Sequence, residues 1–463
     1  MSTRPESTGL TAQKPVTLIV SDLHMGDGGR GDDFVDDKKQ FARFVRQQAQ
    51  SDRGRRGEIE LIVNGDLLEF VQVFPERYTL NSPDYWCSEE ESLDKLNRIL
   101  AGHPESFAAL AEFQKPGNVV TIFPGNHDVD LHWTAVQDRL RSVAGNVNIE
   151  LGEHTYTRYG GRLHVSHGHL FPSIDPVNGF KNWRHPILRL PDDNARPRLE
   201  MCVGTLFVVR FVNQLEEKYP FVDNVHPQTE LVRILLREDR WGLRTVGWLG
   251  ARFIIQHFGA SLSAGGNDDI GPELLGAIRG DPFFRERLAE LCRDLLGRPD
   301  MTEADVGKEF GSEERIAELL EMLLKADGSL TRWTDVLEIA KPAVNAVGDG
   351  SGSTLSLHDA SQIDVRAECL TIARNMWKAH ADIVVLGHTH LPQAIEENGY
   401  RYYNPGSWTR YIEDPSALTL ADLEDDNSYP YELNYVRIED DGGTLRSELV
   451  CFERRTTSAA GAA

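Results

Sequence analysis

Short, mainly apolar runs recur along this chain, and each stops in a cluster of glycine, aspartate, asparagine or histidine. Val16–Val20 ends in Ser21-Asp22-Leu23-His24, Ile59–Val63 in Asn64-Gly65-Asp66, and Val119–Phe123 in Pro124-Gly125-Asn126-His127-Asp128. Leu163–Ser166 ends in His167-Gly168-His169, and Ile383–Leu386 in Gly387-His388-Thr389-His390. A run without clean polar alternation reads as a strand covered on both faces. Between the runs, Phe34, Phe41, Phe44, Val45 and Ala49 recur at helical spacing, and helical patterns surround Leu93–Leu100 and Phe107–Phe113. The repeating unit is β–α–β. It predicts an α/β fold whose sites form beyond the carboxyl ends of the strands, where every polar cluster falls.

The texture breaks at Phe171. Pro172, Pro176, Pro186, Pro191 and Pro197 mark an irregular stretch, and helical patterns follow at Leu231–Leu236, Trp241–Phe258, Phe284–Leu295 and Ile316–Leu324. Val347–Ser353 reads as a flexible linker, and a last helix over Val365–Ala379 leads back into the α/β pattern. Later strands are expected at Tyr400–Tyr403, Ala417–Leu420, Tyr431–Val436 and Ser447–Phe452. The expected organisation is a core of residues 15–172 and 365–452, interrupted by a large, mainly helical insertion at 173–364. A leader (1–14) and a tail (453–463) are expected to be disordered.

With 463 residues and a formal charge of −23, the chain has room for a substantial core and excludes general nucleic-acid coating, which needs a net positive surface. Its five cysteines form no CxxC pair and read as reduced thiols. No stretch reaches the ~18 consecutive apolar residues that span a bilayer, so a cytoplasmic location is the expectation.

The strand ends deliver Asp22, His24, Asp66, Asn126, His127, His167, His388 and His390, a set of oxygen and imidazole donors without a thiolate. That mixture suits Mn²⁺, Fe or Zn²⁺ better than Ca²⁺ or Mg²⁺. An extended strand end would put both donors of Asp-x-His and of His-x-His on one side. The donors exceed what one ion needs, which points to two, with Asp66 able to bridge them. Any one cluster is ordinary loop chemistry, but five in order, each closing a strand, are not.

In these motifs the chain resembles the calcineurin-like metallophosphoesterase superfamily, whose ordered pattern is D-x-H, G-D, G-N-H-D/E, H and G-H-x-H. The matching residues are Asp22/His24, Gly65/Asp66, Gly125–Asp128, His167 and Gly387–His390. The resemblance implies a four-layer αββα sandwich and a dinuclear site holding two divalent ions, Mn²⁺ first, with Fe or Zn²⁺ as alternatives. It implies one ion on Asp22, His24, Asp66 and His390, and the other on Asp66, Asn126, His167 and His388. His127 would serve the leaving oxygen as acid, and Asp128 would orient His127 or cap its loop. The implied reaction is hydrolysis of a phosphomonoester or phosphodiester by a metal-bridging water or hydroxide.

His169 and Asn404 are candidates for supporting or substrate contacts. Asn404 opens an Asn-Pro-Gly-Ser-Trp turn similar to one in relatives of the UDP-2,3-diacylglucosamine pyrophosphatase type, which makes a lipid-linked or nucleotide diphosphate the alternative substrate. That group carries Arg where this chain has His127, and its insertion is much shorter. A metal-binding scaffold without catalysis is another reading, which His127 and the full donor set oppose. A nuclease is disfavoured by the charge. Trp241, Trp248, Phe253 and Phe258 with Arg240, Arg244 and Arg252 keep open a peripheral membrane contact through the insertion.

Overall fold

β1 (Val16–Val20) is buried throughout, yet its side chains divide between two cores: Val16, Leu18 and Val20 pack on one face and Ile19 on the other. β2 (Ile59–Asn64) divides in the same way, with Ile59, Leu61 and Val63 opposed to Ile62, and so does β3 (Val119–Phe123), with Val120 and Ile122 opposed to Phe123. This is the period of two in a sheet with no solvent face. The computed structural model describes residues 13–76, 86–152, 155–171, 365–410 and 429–456, together with short pieces between 173 and 315.

β1, β2, β3 and β4 (Asn148–Ile149) run parallel. A second sheet contains β5 (Tyr156–Arg158) and β6 (Leu163–Val165), and a separate hairpin pairs β7 (Ile187–Leu188) with β8 (Arg198–Leu199). The chain returns through β9 (Ile383–Val385), β10 (Gln393–Glu397), β11 (Tyr400–Asn404), β12 (Tyr431–Asp441) and β13 (Thr444–Arg455). The six-stranded sheet has the order β13-β12-β1-β2-β3-β4, and the five-stranded sheet β10-β11-β9-β6-β5. β13 continues through Arg455 into the expected tail, because its antiparallel register with β12 holds as far as the Tyr431–Arg455 pair.

The core on the outer face of the first sheet is completed by helices. These are α1 (Gln40–Gln50), the single turn α2 (Asp52–Arg55) behind it, α3 (Glu89–Gly102), α4 (Pro104–Gln114) and α5 (Thr134–Ala144). Phe41, Phe44, Leu96, Ile99, Phe107, Leu110 and Leu140 all join that cluster. α3 begins at a capping box, with the Glu91 carboxylate accepting from Ser88 N at 3.0 Å and Ser88 Oγ at 2.6 Å. Phe34, read as part of the first helix, lies outside it and forms an isolated bridge with Thr409, because α1 starts only after the left-handed Lys39.

Between the sheets, Ile19, Ile62 and Phe123 meet Leu163, Val165, Ile383 and Val385. Within this layer Glu60, 2% exposed, accepts from Arg158 Nε at 2.8 Å, from Thr121 Oγ1 at 2.8 Å and from Tyr156 Oη at 2.9 Å. These partners compensate a buried carboxylate that would otherwise be strongly destabilising. On the far face of the second sheet, Val384, Leu386 and Tyr402 pack against Cys369, Ile372, Ala373 and Trp377.

The chain divides into two compact units, Met1–Val225 with Asp364–Asp414 and Ala421–Ala463, and His226–Ile363 with Pro415–Leu420. Trp183, Leu199 and Val209 belong to the main core of the first unit, which also contains the turn α6 (Asn213–Glu216). In the second, α7 (Glu303–Glu309) ends in a Glu309 carboxylate that accepts from Arg298 at 2.7 and 2.8 Å. The last helix, α8 (Val365–Lys378), belongs to the first unit. Helical patterns read at Leu231–Leu236, Trp241–Phe258 and Ile316–Leu324, most of Phe284–Leu295, the linker Val347–Ser353 and the strand at Ala417–Leu420 lie outside the described residues. No helix among the described residues is long and apolar enough to cross a membrane.

Candidate metal centre

The loops that follow β1, β2, β3, β6 and β9 are stitched to one another by backbone and buried polar groups. Asp22 N donates to Gly65 O at 3.2 Å, Leu23 N and His24 N both donate to Asp66 O at 2.8 Å, and Gly387 N donates to His167 O at 2.8 Å. Asn64 Nδ2 donates to Ser166 O at 2.9 Å and His167 Nδ1 to Asn64 O at 2.8 Å, so the end of β2 is tied to the end of β6 in the other sheet. Close approach demands glycine here. A Cβ on Gly65, whose φ is +83°, would lie 2.2 Å from His167 Nδ1, and one on Gly125 would lie 2.1 Å from Asp66 Oδ1.

The backbone at the donors differs from the extended geometry expected from the sequence. Asp22, His24, Asp66, His388 and His390 have φ between 48° and 68°, in the left-handed region. The ladder ends with each strand, and a left-handed turn then brings the side chains inward. Asp and His are among the types that tolerate this region best.

Besides a group of His24, Glu69 and His127, two groups of the expected donors result: Asp22 with His24 and His390, and Asp66 with His167 and His388, each with ligand atoms within 4.8 Å of one another. Asp66 links them, its Oδ2 3.0 Å from His167 Nε2 and 3.7 Å from His24 Nε2. Its Oδ1 accepts from His127 N at 2.9 Å. Asp22 accepts from His388 N at 3.0 Å and lies 3.4 Å from His390 Nε2. Asp22, Asp66, His24, Asn126 and His167 are buried, whereas His127, His388 and His390 are half-buried and form the mouth.

The donor chemistry fits cations. His167 and His24 commit Nδ1 to donation, to Asn64 O and to Glu69 respectively, which turns the lone pair of each Nε2 inward. These nitrogens face Asp66 Oδ2 at 3.0 Å and His390 Nε2 at 3.1 Å, so potential ligand atoms crowd one space that a cation, displacing the proton between His167 and Asp66, would fill. Asn126 Oδ1 is buried and has no hydrogen-bond partner among the described residues. Burial disfavours the imidazolium of His167, but Asp66 and Asp22 outweigh it and push the pKa up to about 9. Burial likewise opposes the charge on Asp66, yet His167, His127 and His24 hold it well below the usual carboxylate range.

The sequence reading overlooked Glu69. Its Oε2 lies 2.7 Å from both His24 Nδ1 and His127 Nδ1, and its Oε1 accepts from Val71 N at 3.0 Å and Gln72 N at 3.2 Å. Despite burial, the two imidazoles hold its pKa at about 2. The available signal was an acid inside the apolar run Leu67-Leu68-Glu69-Phe70-Val71. Of the two roles expected for Asp128, the structure favours the cap: its carboxylate accepts from Gly125 N and, at 2.9 Å, from Leu67 N, while Glu69 takes the His127 ring. Burial, with Asp66 nearby, pushes Asp128 up to about 8.

His169 is buried, its ring centroid 5.2 Å from that of His167 and 4.5 Å from that of Trp183. Asn404 Nδ2 donates to Gly387 O at 3.1 Å and Thr389 Oγ1 at 3.0 Å, while its Oδ1 accepts from Gly406 N at 2.8 Å, which pins the turn carrying His388 and His390.

Residues 339–426 match the family described as Calcineurin-like phosphoesterase superfamily domain, and the resemblance carried by the motifs stands. That span contains Gly387–His390 and Asn404. No curated protein matches the chain. A solved structure similar to it is wild-type Vps29 complexed with Zn²⁺ from Entamoeba histolytica, 20% identical over 18% of this chain and 47% of that one, with a TM-score of 0.12. The match therefore spans less than half of that chain, and at that score the likeness carries no argument.

Proposed function

We propose that the chain is a metal-dependent phosphoesterase that hydrolyses a phosphomonoester or phosphodiester, built on a four-layer αββα sandwich. The observation that carries this reading is the inward convergence of His24 Nε2, His167 Nε2 and the Asp66 carboxylate. Asp22, His24, Asp66 and His390 would hold one divalent ion, and Asp66, Asn126, His167 and His388 the other. Paired ions of this kind neutralise a phosphate ester and lower the pKa of water; Mn²⁺ is the first candidate.

His127 acts on the leaving oxygen. Glu69 holds its Nδ1, which leaves Nε2 at the half-buried mouth as the atom that delivers a proton. In the metal-free chain burial disfavours the charge on His127, but Glu69 and Asp66 outweigh it and push the pKa up to about 10. Glu69 fixes the ring and Asp128 fixes the loop beneath it.

The test is hydrolysis of p-nitrophenyl phosphate and bis-p-nitrophenyl phosphate by protein reconstituted with Mn²⁺, before and after chelation. Turnover of either ester that is lost on chelation is expected. A metal-loaded protein inert toward both, or one whose turnover ignores the chelator, overturns the reading.

A further inference from the structure

α3 turns Ser92, Lys95, Leu96 and Ile99 toward the core, so a lysine occupies the buried stripe of an amphipathic helix. Lys95 is 2% exposed. A buried ammonium is destabilising unless its partners compensate, so those partners indicate what it is for. Its Nζ is 2.8 Å from Asp130 Oδ1 and donates to Phe70 O at 3.1 Å, and it lies 5.3 Å from the centre of the Phe70 ring. Asp130, 4% exposed, also accepts from Ser92 Oγ at 2.6 Å.

These partners belong to two different loops of the metal centre. Phe70 directly follows Glu69, and Asp130 lies three residues beyond His127. Between the loops, Phe70 N donates to His127 O at 3.3 Å, and the Glu69 Oε2 contact with His127 Nδ1 is 2.7 Å. Without the ammonium, the Phe70 carbonyl and the Asp130 carboxylate would be left as two buried acceptors converging on one point. An attraction between the loops would become a repulsion.

We infer that Lys95 is a positioning residue that holds the Glu69 loop against the His127 loop and so sets the aim of the His127 ring. The inference rests on the reading of His127 as the acid. An apolar side chain of similar length would fill the same space without tying the loops. Glu69 N donates to Met25 O at 3.0 Å and Asp66 O accepts from Leu23 N and His24 N, so the Glu69 loop stays with the loop after β1, and His24 and Asp66 keep their places when the clamp is lost.

The test compares the full chain with Lys95→Met and with Lys95→Met/Asp130→Asn, which removes the unpaired carboxylate that would otherwise hinder folding. In metal-free protein with ¹⁵N-labelled histidine, the downfield Nδ1–H resonance of His127, assigned by its loss in His127→Gln, is expected to broaden or vanish in both variants. After Mn²⁺ loading, metal content should be unchanged. The kcat/KM for an alkyl phosphate should fall by about tenfold more than that for p-nitrophenyl phosphate, whose leaving group needs little protonation. A double variant that keeps the resonance and the wild-type ratio of rates overturns the inference, as does absence of the resonance from the unmodified protein. If the unmodified chain hydrolyses neither ester, the phosphoesterase reading fails by itself and the resonance alone decides the clamp.

Discussion

Asp66 is the residue on which both donor groups depend, since its carboxylate faces His167 and His24 while its backbone oxygen accepts from Leu23 and His24. Replacing one of its oxygens by an amide nitrogen removes a charge and a ligand atom but keeps the shape. Asp66→Asn should therefore fold and yet hold well under the two ions per chain expected of the unmodified protein, measured by elemental analysis after Mn²⁺ loading and desalting. Undiminished metal content would remove Asp66 from the bridge. His127 is predicted to behave oppositely. His127→Ala should keep its metal and lose about 10²–10⁴-fold in turnover of an alkyl phosphate, the usual contribution of a positioned acid. Full turnover by that variant in steady-state assays would end the acid assignment.

At the level of elements, the loop after β1 is joined to the junction of α3 and α4 by one histidine. His103 Nε2 lies 2.7 Å from Asp32 and its Nδ1 3.0 Å from Asp36, all three side chains being buried. Burial disfavours the imidazolium, but the two carboxylates overcome it and raise the pKa from 6.5 to about 9. A folded-state pKa above the unfolded value contributes stability that is complete below about pH 6.5 and lost as the pH rises through about 9. The shift corresponds to roughly 3 kcal/mol. Burial opposes ionisation of Asp36, which His103 and Lys39 nevertheless hold low, so its own contribution is lost at the acid end instead. Denaturant unfolding at pH 6 and pH 10 should find the chain more stable than His103→Asn by the larger margin at pH 6. An equal margin at both would rule out a charged His103 as the tie.

For the whole molecule, ions that bind the folded chain and not the unfolded one must raise its stability. Free Mn²⁺ at a hundred times its dissociation constant adds about 2.7 kcal/mol per site. Calorimetry should therefore record a melting temperature that climbs with Mn²⁺ and falls back with chelator, and an unmoved transition would exclude a folded-state metal centre. The class of fold and the donor types were legible in the sequence, because a strand buried on both faces is written in neighbouring residues and its polar end follows directly. Val16–Val20 with Asp22 and His24, and Ile383–Val385 with His388 and His390, needed nothing beyond local pattern. Local pattern failed where a partner lies far along the chain. Phe34 has helical spacing from Phe41 but pairs with Thr409, and Asp128 adjoins His127 but leaves that ring to Glu69. Residue types, strand ends and the order of the donors were thus properties of the sequence alone. Tertiary structure decided the left-handed turns that aim the donors and the burial of Glu69 and Lys95 beneath them. Each of these depends on contacts such as His24 with His390, 366 positions apart, which no short-range periodicity encodes.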